Sequence, residues 1–192
     1  MSKTKTSMNF FALTYLAWGL SEIFLAVFTR SGKSDRKGAD QQSQLIIWIA
    51  IIASITLSVF VARRFPCAIF PEERMAVAGI IVLCLGILLR FIAIRQLGRF
   101  FTVDVTIRED HQLMERGFYK YVRHPSYTGA LLSFAGYGLS TDNWYAFFIV
   151  FLPVLYTFLV RIRIEEKVLL EQFGEKYKEY SGRTKRLVPF LY

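Results

Sequence analysis

The sequence predicts an all-α integral membrane protein with five transmembrane helices. Of its 192 residues, 54% are hydrophobic, and they lie in long blocks instead of the short amphipathic runs that are typical of a soluble core. Residues Leu45–Ala62 contain no charged side chain and, at about 1.5 Å per residue, nearly cross a hydrocarbon core of about 30 Å. The net charge of +9 comes largely from Lys and Arg between these blocks, which favours anionic lipid headgroups as partners. We therefore expect a lipid bilayer, and no nucleic acid, around this protein.

Five apolar segments are predicted to form the helices. They are Met8–Phe28, Leu45–Ala62, Met75–Ile94, Tyr127–Leu139 and Trp144–Val160. The first is too long for a signal-peptide core and is followed by no clear cleavage site, so we interpret it as a retained span. Ser140–Asn143 is a turn-forming cluster, so the last two segments are predicted to form a tight helical hairpin. Because the fourth segment is short, packing against other helices or opening into the interface is an alternative to a clean span.

The distribution of Lys and Arg predicts the orientation of the protein. With five spans the two termini lie on opposite sides of the membrane. The loop 29–44, the connector 95–126 and the tail after Val160 together hold 18 Lys and Arg, against 5 on the other side. Because an excess of basic residues marks the cytoplasmic side, the C-terminus and the connector are expected to be cytoplasmic. We divide the chain into three N-terminal transmembrane helices, 1–94, and a C-terminal region, 95–192, that holds the connector, the hairpin 127–160 and a final helix with its tail.

Glu22 and Arg90 are charged residues within the apolar segments. They could pair or line a polar cavity, since intramembrane charges are costly and often functional. Alternatively, both lie near the ends of their spans and reach toward the interface. We prefer the second interpretation for Arg90, and Glu22 stays open. The two cysteines, Cys67 and Cys84, provide neither a disulfide framework nor a metal-ligand cluster, so no metal is expected.

Two blocks with little membrane character flank the hairpin, at 103–129 and 161–192. A hairpin returns its chain to the side it left, so we expect the blocks to form one cytoplasmic pocket. The first block holds both histidines, His111 and His124. Pro125 suits the first turn of a helix, so the fourth helix is predicted to begin here and to leave free backbone N–H groups that favour an anionic ligand.

The second block is predicted to continue the fifth helix out of the membrane as far as Gly182. Arg161 and Glu165 are four residues apart and share a face of this helix, and helix geometry alone favours a plain solvent-exposed pair. The apolar tail Leu187–Tyr192 could fold back over a ligand. An aromatic stripe for packing is predicted at Phe173, Tyr177 and Tyr180.

These two blocks resemble the isoprenylcysteine carboxyl methyltransferase family and, more loosely, the wider group of small membrane methyltransferases. The first block carries Gly117-Phe118-Tyr119, Arg123-His124-Pro125-Ser126-Tyr127 and Gly129. The second carries Glu165-Glu166, Phe173-Gly174-Glu175-Lys176-Tyr177, Tyr180 and Pro189. The first three spans match only as hydrophobic segments. Because eukaryotic members have additional spans, the chain is similar to a minimal, prokaryotic-type member.

The resemblance implies an S-adenosylmethionine-dependent methyltransferase, with S-adenosylhomocysteine as product, and makes 95–192 the catalytic, cofactor-binding region. The implied acceptor is lipophilic and meets the enzyme at the membrane interface, most simply as the carboxylate of an isoprenylated cysteine or a similar molecule. The catalytic positions are Arg161, facing the substrate carboxylate, and Glu165, holding the methionine amino group. Asp104 aligns loosely with a position at which members of the family often have a polar residue in contact with the cofactor. The implied cofactor contacts are His111, Gln112, Leu113, Met114, Tyr119, His124, Pro125, Ser126, Tyr127 and Glu165.

Three alternatives remain open at this point. Membrane sterol and enone reductases share a similar pair of C-terminal blocks but bind NADPH, and the intact His124–Tyr127 motif and the small size favour the methyltransferase. A phospholipid N-methyltransferase would present an amine, for which Arg161 is a poor partner. A non-enzymatic membrane scaffold would bind neither cofactor.

Overall fold

The fold is a bundle of six helices, seen in a computed structural model that describes residues 2–29, 36–37, 41–70, 74–103, 105–107 and 111–189. The five apolar segments of the sequence each lie in one helix, and a shorter sixth helix follows them. The helices are α1 (Ser2–Phe28), α2 (Gln41–Arg64), α3 (Arg74–Leu97), α4 (Pro125–Ser140), α5 (Trp144–Phe173) and α6 (Glu175–Arg183).

Four helices within the described part of the chain are long and apolar enough to cross a bilayer, namely α1, α2, α3 and α5. Their outward faces carry large apolar side chains such as Leu13, Ile52 and Phe91, each more than half exposed. Such a surface is stable in lipid and would be costly in water. The prediction of a multi-pass helical membrane protein is thus confirmed at this level.

Helix α4 differs from the other apolar helices in length and surroundings. Its sixteen residues rise about 24 Å, which is short of a hydrocarbon core of about 30 Å. Eleven of these residues are buried, so α4 is enclosed by its neighbours and not by lipid. A fifth complete span at α4 stays a prediction, and the packing of the short segment against other helices is what the structure shows.

Small residues bring α3 and α4 into close backbone contact. Gly79 and Gly86 of α3 face Gly136 and Gly129 of α4, and a methyl group added at any of them would overlap backbone atoms of the opposite helix. Ser133 Oγ lies in the same seam and donates hydrogen bonds to Gly129 O and Leu83 O. Helices in lipid associate through van der Waals contact and such polar bridges, and small residues make both possible.

The helix ends form two separate faces. At one face, Asn143 Nδ2 donates to Phe65 O at 2.8 Å, so the hairpin turn lies against the α2–α3 loop. At the other, Val103 N donates to Thr29 O at 3.1 Å, so the end of α1 lies beside the connector. Thr29 and Arg36–Lys37, the described parts of the basic loop, therefore lie at the same face as the connector.

Three details differ from the sequence prediction. A short antiparallel pair, β1 (Arg36–Lys37) with β2 (Thr106–Ile107), interrupts the otherwise helical fold. The helix predicted to run to Gly182 ends at Phe173, because Gly174 has φ 52°, a conformation that glycine adopts without steric cost. The chain then turns into α6, so Phe173 lies on a different helix from Tyr177 and Tyr180, and the proposed continuous stripe is wrong.

Candidate active site

A cavity of about 410 Å³ lies between the helices and beneath the connector, and all six helices contribute to its wall. Toward the basic face it is lined by polar and aromatic residues, among them His124, Glu165 and Tyr177. Within the bundle its wall is apolar and includes Ile51 and Phe134. A volume of this size is typical of ligand pockets. The cavity can hold a molecule with one polar and one apolar end.

A hydrogen-bonded chain of three side chains crosses the wall where the polar and apolar parts meet. The Tyr127 hydroxyl donates to Glu165 Oε2 at 3.0 Å and accepts from Arg161 Nε at 3.2 Å. Arg161 is 4% exposed and also donates to Ser43 Oγ, at 2.8 Å, and to Val103 O. Its guanidinium group therefore joins α2, the connector and α4. The plain solvent-exposed Arg161–Glu165 pair that helix geometry alone favoured is thus wrong for Arg161.

Glu166 is the centre of a second cluster, directly behind the first. Its carboxylate pairs with Arg123 Nε at 3.0 Å and with Arg186 Nη2 at 2.8 Å. His124 is 3% exposed, with Nε2 3.5 Å from Glu166 Oε1 and Nδ1 3.8 Å from Glu165 Oε1. The two adjacent glutamates thus face different partners: Glu165 lines the cavity, and Glu166 holds the loop that carries His124.

The C-terminal strap Lys185–Leu187 fixes the start of α4 from outside. Arg123 N donates to Lys185 O at 2.7 Å and His124 N to Arg186 O at 3.0 Å. Leu187 is buried in the hydrophobic core, and its carbonyl accepts from Thr128 Oγ1 at 2.7 Å. The described part of the tail thus packs on the His124 loop. The possibility that the tail folds back over a ligand stays open, since 190–192 lie outside the described residues.

The helix start at Pro125 is confirmed, but its backbone is used differently from the prediction. The N–H group of Thr128 makes the ordinary first bond of the helix to His124 O, and the N–H group of Tyr127 donates to the same carbonyl, both at 3.1 Å. Of the N–H groups that a regular helix leaves open, that of Tyr127 is thus used within the first turn. The prediction of N–H groups open to an anionic ligand is therefore wrong for Tyr127.

Aromatic groups form the mouth of the cavity. The His111 ring lies between those of Phe100 and Phe173, at centroid distances of 4.9 and 5.7 Å. Tyr180 Oη donates to Tyr119 O at 2.7 Å, which ties α6 to the connector. Burial raises the pKa of Tyr119, and the Glu165 carboxylate raises it further. Burial likewise raises the pKa of Tyr177, with a further rise from Glu166, so both phenols stay neutral and can pack against a ligand.

Glu22 and Arg90 form an ion pair on the cavity wall. Arg90 Nε lies 2.8 Å from Glu22 Oε1, and Nη2 donates to Oε2 at 3.0 Å. Arg90 Nη1 donates in addition to Ser126 O at 3.1 Å. Pairing of Glu22 with Arg90, which was the alternative to the preferred interpretation of Arg90 as a side chain near the end of its span that reaches toward the interface, is therefore confirmed. Arg90 can reach Glu22 because α1 packs against α3. The pair is favourable because a charge buried in lipid is stabilised by an opposite charge.

Nine of the eleven candidate residues line this one cavity, and Gln112 and Pro125 are the exceptions. Gln112 is exposed, and Pro125 is buried in the first turn of α4. Asp104 lies outside the described residues. The sequence did not indicate that α1 and α2 contribute to the cavity wall. On α1, Tyr15 and Trp18 line the wall together with Glu22. Their spacing of three and four places them on one helix face, a signal that would have grouped them with Glu22.

Fold and site together define a multi-pass helical membrane protein whose bundle encloses a partly polar, partly apolar ligand cavity. Residues 79–171 match the model of the isoprenylcysteine carboxyl methyltransferase family. A probable protein-S-isoprenylcysteine O-methyltransferase of Oryza sativa subsp. japonica is 30% identical over 130 residues, which cover 64% of this chain and 68% of the rice protein. The chain therefore belongs to the isoprenylcysteine carboxyl methyltransferase family, as the resemblance of its two blocks indicated.

Two further comparisons agree with this assignment. Protein-S-isoprenylcysteine O-methyltransferase B of Arabidopsis thaliana is 39% identical over 116 residues, covering 59% of this chain and 58% of the plant protein. The solved structure of a eukaryotic intramembrane Ras methyltransferase superposes with a TM-score of 0.62 at 29% identity, covering 79% of this chain and 54% of that one. The chain thus spans little more than half the length of these two relatives.

Proposed function

We propose that this protein is an S-adenosylmethionine-dependent methyltransferase that acts on a lipophilic acceptor at the membrane interface. The proposed acceptor group is the carboxylate of an isoprenylated cysteine or a similar molecule. The observation that carries the proposal is the position of the Arg161–Tyr127–Glu165 chain, at the level where a polar and an apolar compartment of one cavity meet. The names of the relatives, all protein-S-isoprenylcysteine O-methyltransferases, support the same reaction.

The polar compartment fits S-adenosylmethionine by the chemistry of its residues. Glu165 is about one-third exposed, and a carboxylate that accepts one hydrogen bond through Oε2 has capacity left for an ammonium group. His124 lies beside it and suits the carboxylate of the methionine moiety. Leu113, Met114 and Tyr119 offer apolar and aromatic surface for adenine. When bound, the cofactor supplies an electrophilic methyl group on a sulfonium centre.

The residues of this chain position the reactants and need not move a proton. A carboxylate acceptor is already ionised near neutral pH, so the reaction requires no general base. Arg161 and Arg90 place two guanidinium groups on the cavity wall, which favours an anionic acceptor over an amine. Arg161 is proposed to orient the carboxylate from its fixed place in the wall. Alignment of nucleophile and methyl group in a site of low dielectric then lowers the barrier.

The membrane arrangement is part of the proposal. The face that carries the connector, the strap and the mouth of the cavity is proposed to be cytoplasmic, since the sequence segments 29–44, 95–126 and 161–192 together hold 18 of the Lys and Arg residues and an excess of basic residues marks that side. In this arrangement α4 completes the fifth crossing inside the bundle, and 95–192 form the catalytic region on three N-terminal spans. A water-borne cofactor and a lipid-borne acceptor then enter one cavity from different phases.

Transfer of a radiolabelled methyl group from S-adenosylmethionine to a panel of acceptors tests the proposal. The panel contains N-acetyl-S-farnesylcysteine, its methyl ester as a blocked control, and phosphatidylethanolamine. We expect label only in the free carboxylate. A parallel titration of purified protein compares S-adenosylmethionine with NADPH. Preferential NADPH binding, or label in the phospholipid alone, would contradict the assignment.

A further inference from the structure

The cavity wall has the same length on three helices. It runs from Ala26 to Tyr15 on α1, from Gln44 to Ile55 on α2, and from Ser126 to Tyr137 on α4, a separation of eleven positions in each case. At about 1.5 Å per residue, this is a depth of about 16 Å, or half of the hydrocarbon core. The Tyr15 and Tyr137 rings, whose centroids are 5.2 Å apart, bring the lower ends of the wall on α1 and α4 together.

The wall between these limits suits a hydrocarbon chain. Below the level of the Glu22–Arg90 pair, the described lining residues include Ile47, Ile51, Ala130, Phe134 and Phe158. Phe134 and Phe158 face each other in an edge-to-face arrangement, with centroids 6.4 Å apart. Such a surface offers dispersion contacts and no charge, so it selects for apolar ligand atoms.

A polar floor lies at the end of the cavity where Tyr15 and Tyr137 line its wall. The Oη of Tyr15 and the Oγ of Ser140 are 2.7 Å apart. Since Ser140 Oγ donates to Tyr137 O at 2.6 Å, the proton between the two hydroxyls belongs to Tyr15. The Tyr15 ring also packs edge-on against that of Tyr137, with centroids 5.2 Å apart.

The same floor extends to α2. The Tyr137 hydroxyl faces the side chain of Ser58, which is fully buried. Hydroxyl side chains of three helices thus meet at this end of the cavity, and the Tyr15–Ser140 bond joins two of them. Because no water is available inside a bilayer to replace these bonds, opening the floor is costly.

We propose that this floor, formed by Tyr15, Tyr137, Ser140 and Ser58, sets the length of the acceptor chain. The inference rests on the proposed function, since it assumes that the acceptor's head lies near Tyr127 and its chain below. An extended chain advances about 3.5 Å per three bonds, so a depth of about 16 Å holds about a dozen chain bonds. This is the main-chain length of a farnesyl group. Longer chains meet the Tyr15 ring, and shorter ones leave apolar wall uncovered.

Two substitutions with opposite expected effects test the floor. Tyr15→Ala removes the ring and lengthens the cavity, and Ile51→Trp fills it from the α2 side. Tyr15→Phe is the matched control, because it removes the hydroxyl but keeps the ring that blocks the chain. The measurement is kcat/KM for N-acetyl-S-geranyl-, farnesyl- and geranylgeranyl-cysteine in mixed micelles, with the S-adenosylmethionine affinity of each variant measured alongside.

We expect Tyr15→Ala to raise the geranylgeranyl-to-farnesyl ratio of kcat/KM roughly tenfold or more. Ile51→Trp should raise the geranyl-to-farnesyl ratio of kcat/KM by a similar factor. Changes of this size are usual when an apolar pocket gains or loses room for several methylene groups. Cofactor affinity should stay unchanged. Ratios that stay within twofold of wild type in both variants would overturn the role of the floor alone. If the wild-type protein methylates none of the three acceptors, the proposed function fails and the chain-length assignment with it.

Discussion

The Tyr127 hydroxyl donates a hydrogen bond of 3.0 Å to Glu165 Oε2, and this bond joins the first turn of α4 to the part of α5 that extends beyond the apolar segment. The two residues are 38 positions apart in the chain. Their contact holds a carboxylate at a defined place on the cavity wall, and Arg161 fixes the phenol from the other side.

Tyr127→Phe removes this bond and should weaken the binding of S-adenosylmethionine. A hydrogen bond to a charged group contributes about 1.5–3 kcal/mol, so we expect the dissociation constant to rise about tenfold or more. Calorimetric titration in detergent measures it. Tyr121→Phe is the matched control, since Tyr121 is half exposed. Equal affinities for wild type and Tyr127→Phe would show that the bond does not position the carboxylate that is proposed to bind the cofactor.

Glu166→Ala should destabilise the C-terminal region much more than the loss of an exposed charge does. It leaves Arg123 and Arg186 without their shared carboxylate, whose side chain is 14% exposed, and breaking a largely buried pair costs about 3–5 kcal/mol. Glu175→Ala removes a carboxylate that is 79% exposed and pairs with Lys178, and such a pair contributes about 1 kcal/mol at most. Thermal unfolding in detergent compares the two. A smaller loss for Glu166→Ala than for Glu175→Ala would contradict the central place given to Glu166.

Gly86→Ala and Gly136→Ala should each separate α3 from α4. The added methyl group overlaps the backbone of Ser133 in the first case and of Leu83 in the second. Overpacking of a tight interface costs about 1–3 kcal/mol or more, and we expect lower thermal stability and a larger fraction of aggregated protein in gel filtration. Gly182→Ala in α6, where nothing lies near the added methyl, is the control and should match or exceed wild-type stability. A wild-type melting temperature for Gly136→Ala would exclude the close glycine contact.

The stability of the protein should fall at alkaline pH because of its buried phenols. Burial raises the pKa of Tyr180 above its ordinary value, which is about 10. A group with a raised native pKa stabilises the fold fully below its unfolded pKa, and this contribution is lost as pH rises above that value. We expect the melting temperature to fall from about pH 10 upward, and Tyr180→Phe to show a shallower fall. Tyr121→Phe should keep the wild-type slope, and an identical slope for Tyr180→Phe would argue against the buried phenol.

The sequence alone determined the five apolar segments and the family. Long uncharged runs such as Leu45–Ala62 can bury their apolar surface only in lipid, so their number and approximate bounds follow from composition. The motif Arg123–Tyr127 and the adjacent Glu165-Glu166 pair indicated the family because local sequence preserves the identity of a site. The hairpin turn was equally local, and it predicted that the two blocks would meet.

Only the tertiary structure decided which partners these residues have. Glu22 and Arg90 pair because α1 and α3 lie side by side, and no periodicity within either helix specifies that neighbour. The burial of α4 follows from glycines on two helices that meet in register, which is a property of the pair. Glu165 and Glu166 likewise have different partners because the C-terminal strap Lys185–Leu187 packs on the His124 loop and brings Arg186 to Glu166. Local physical chemistry therefore fixed the elements, while contacts between distant residues fixed the shape and depth of the cavity.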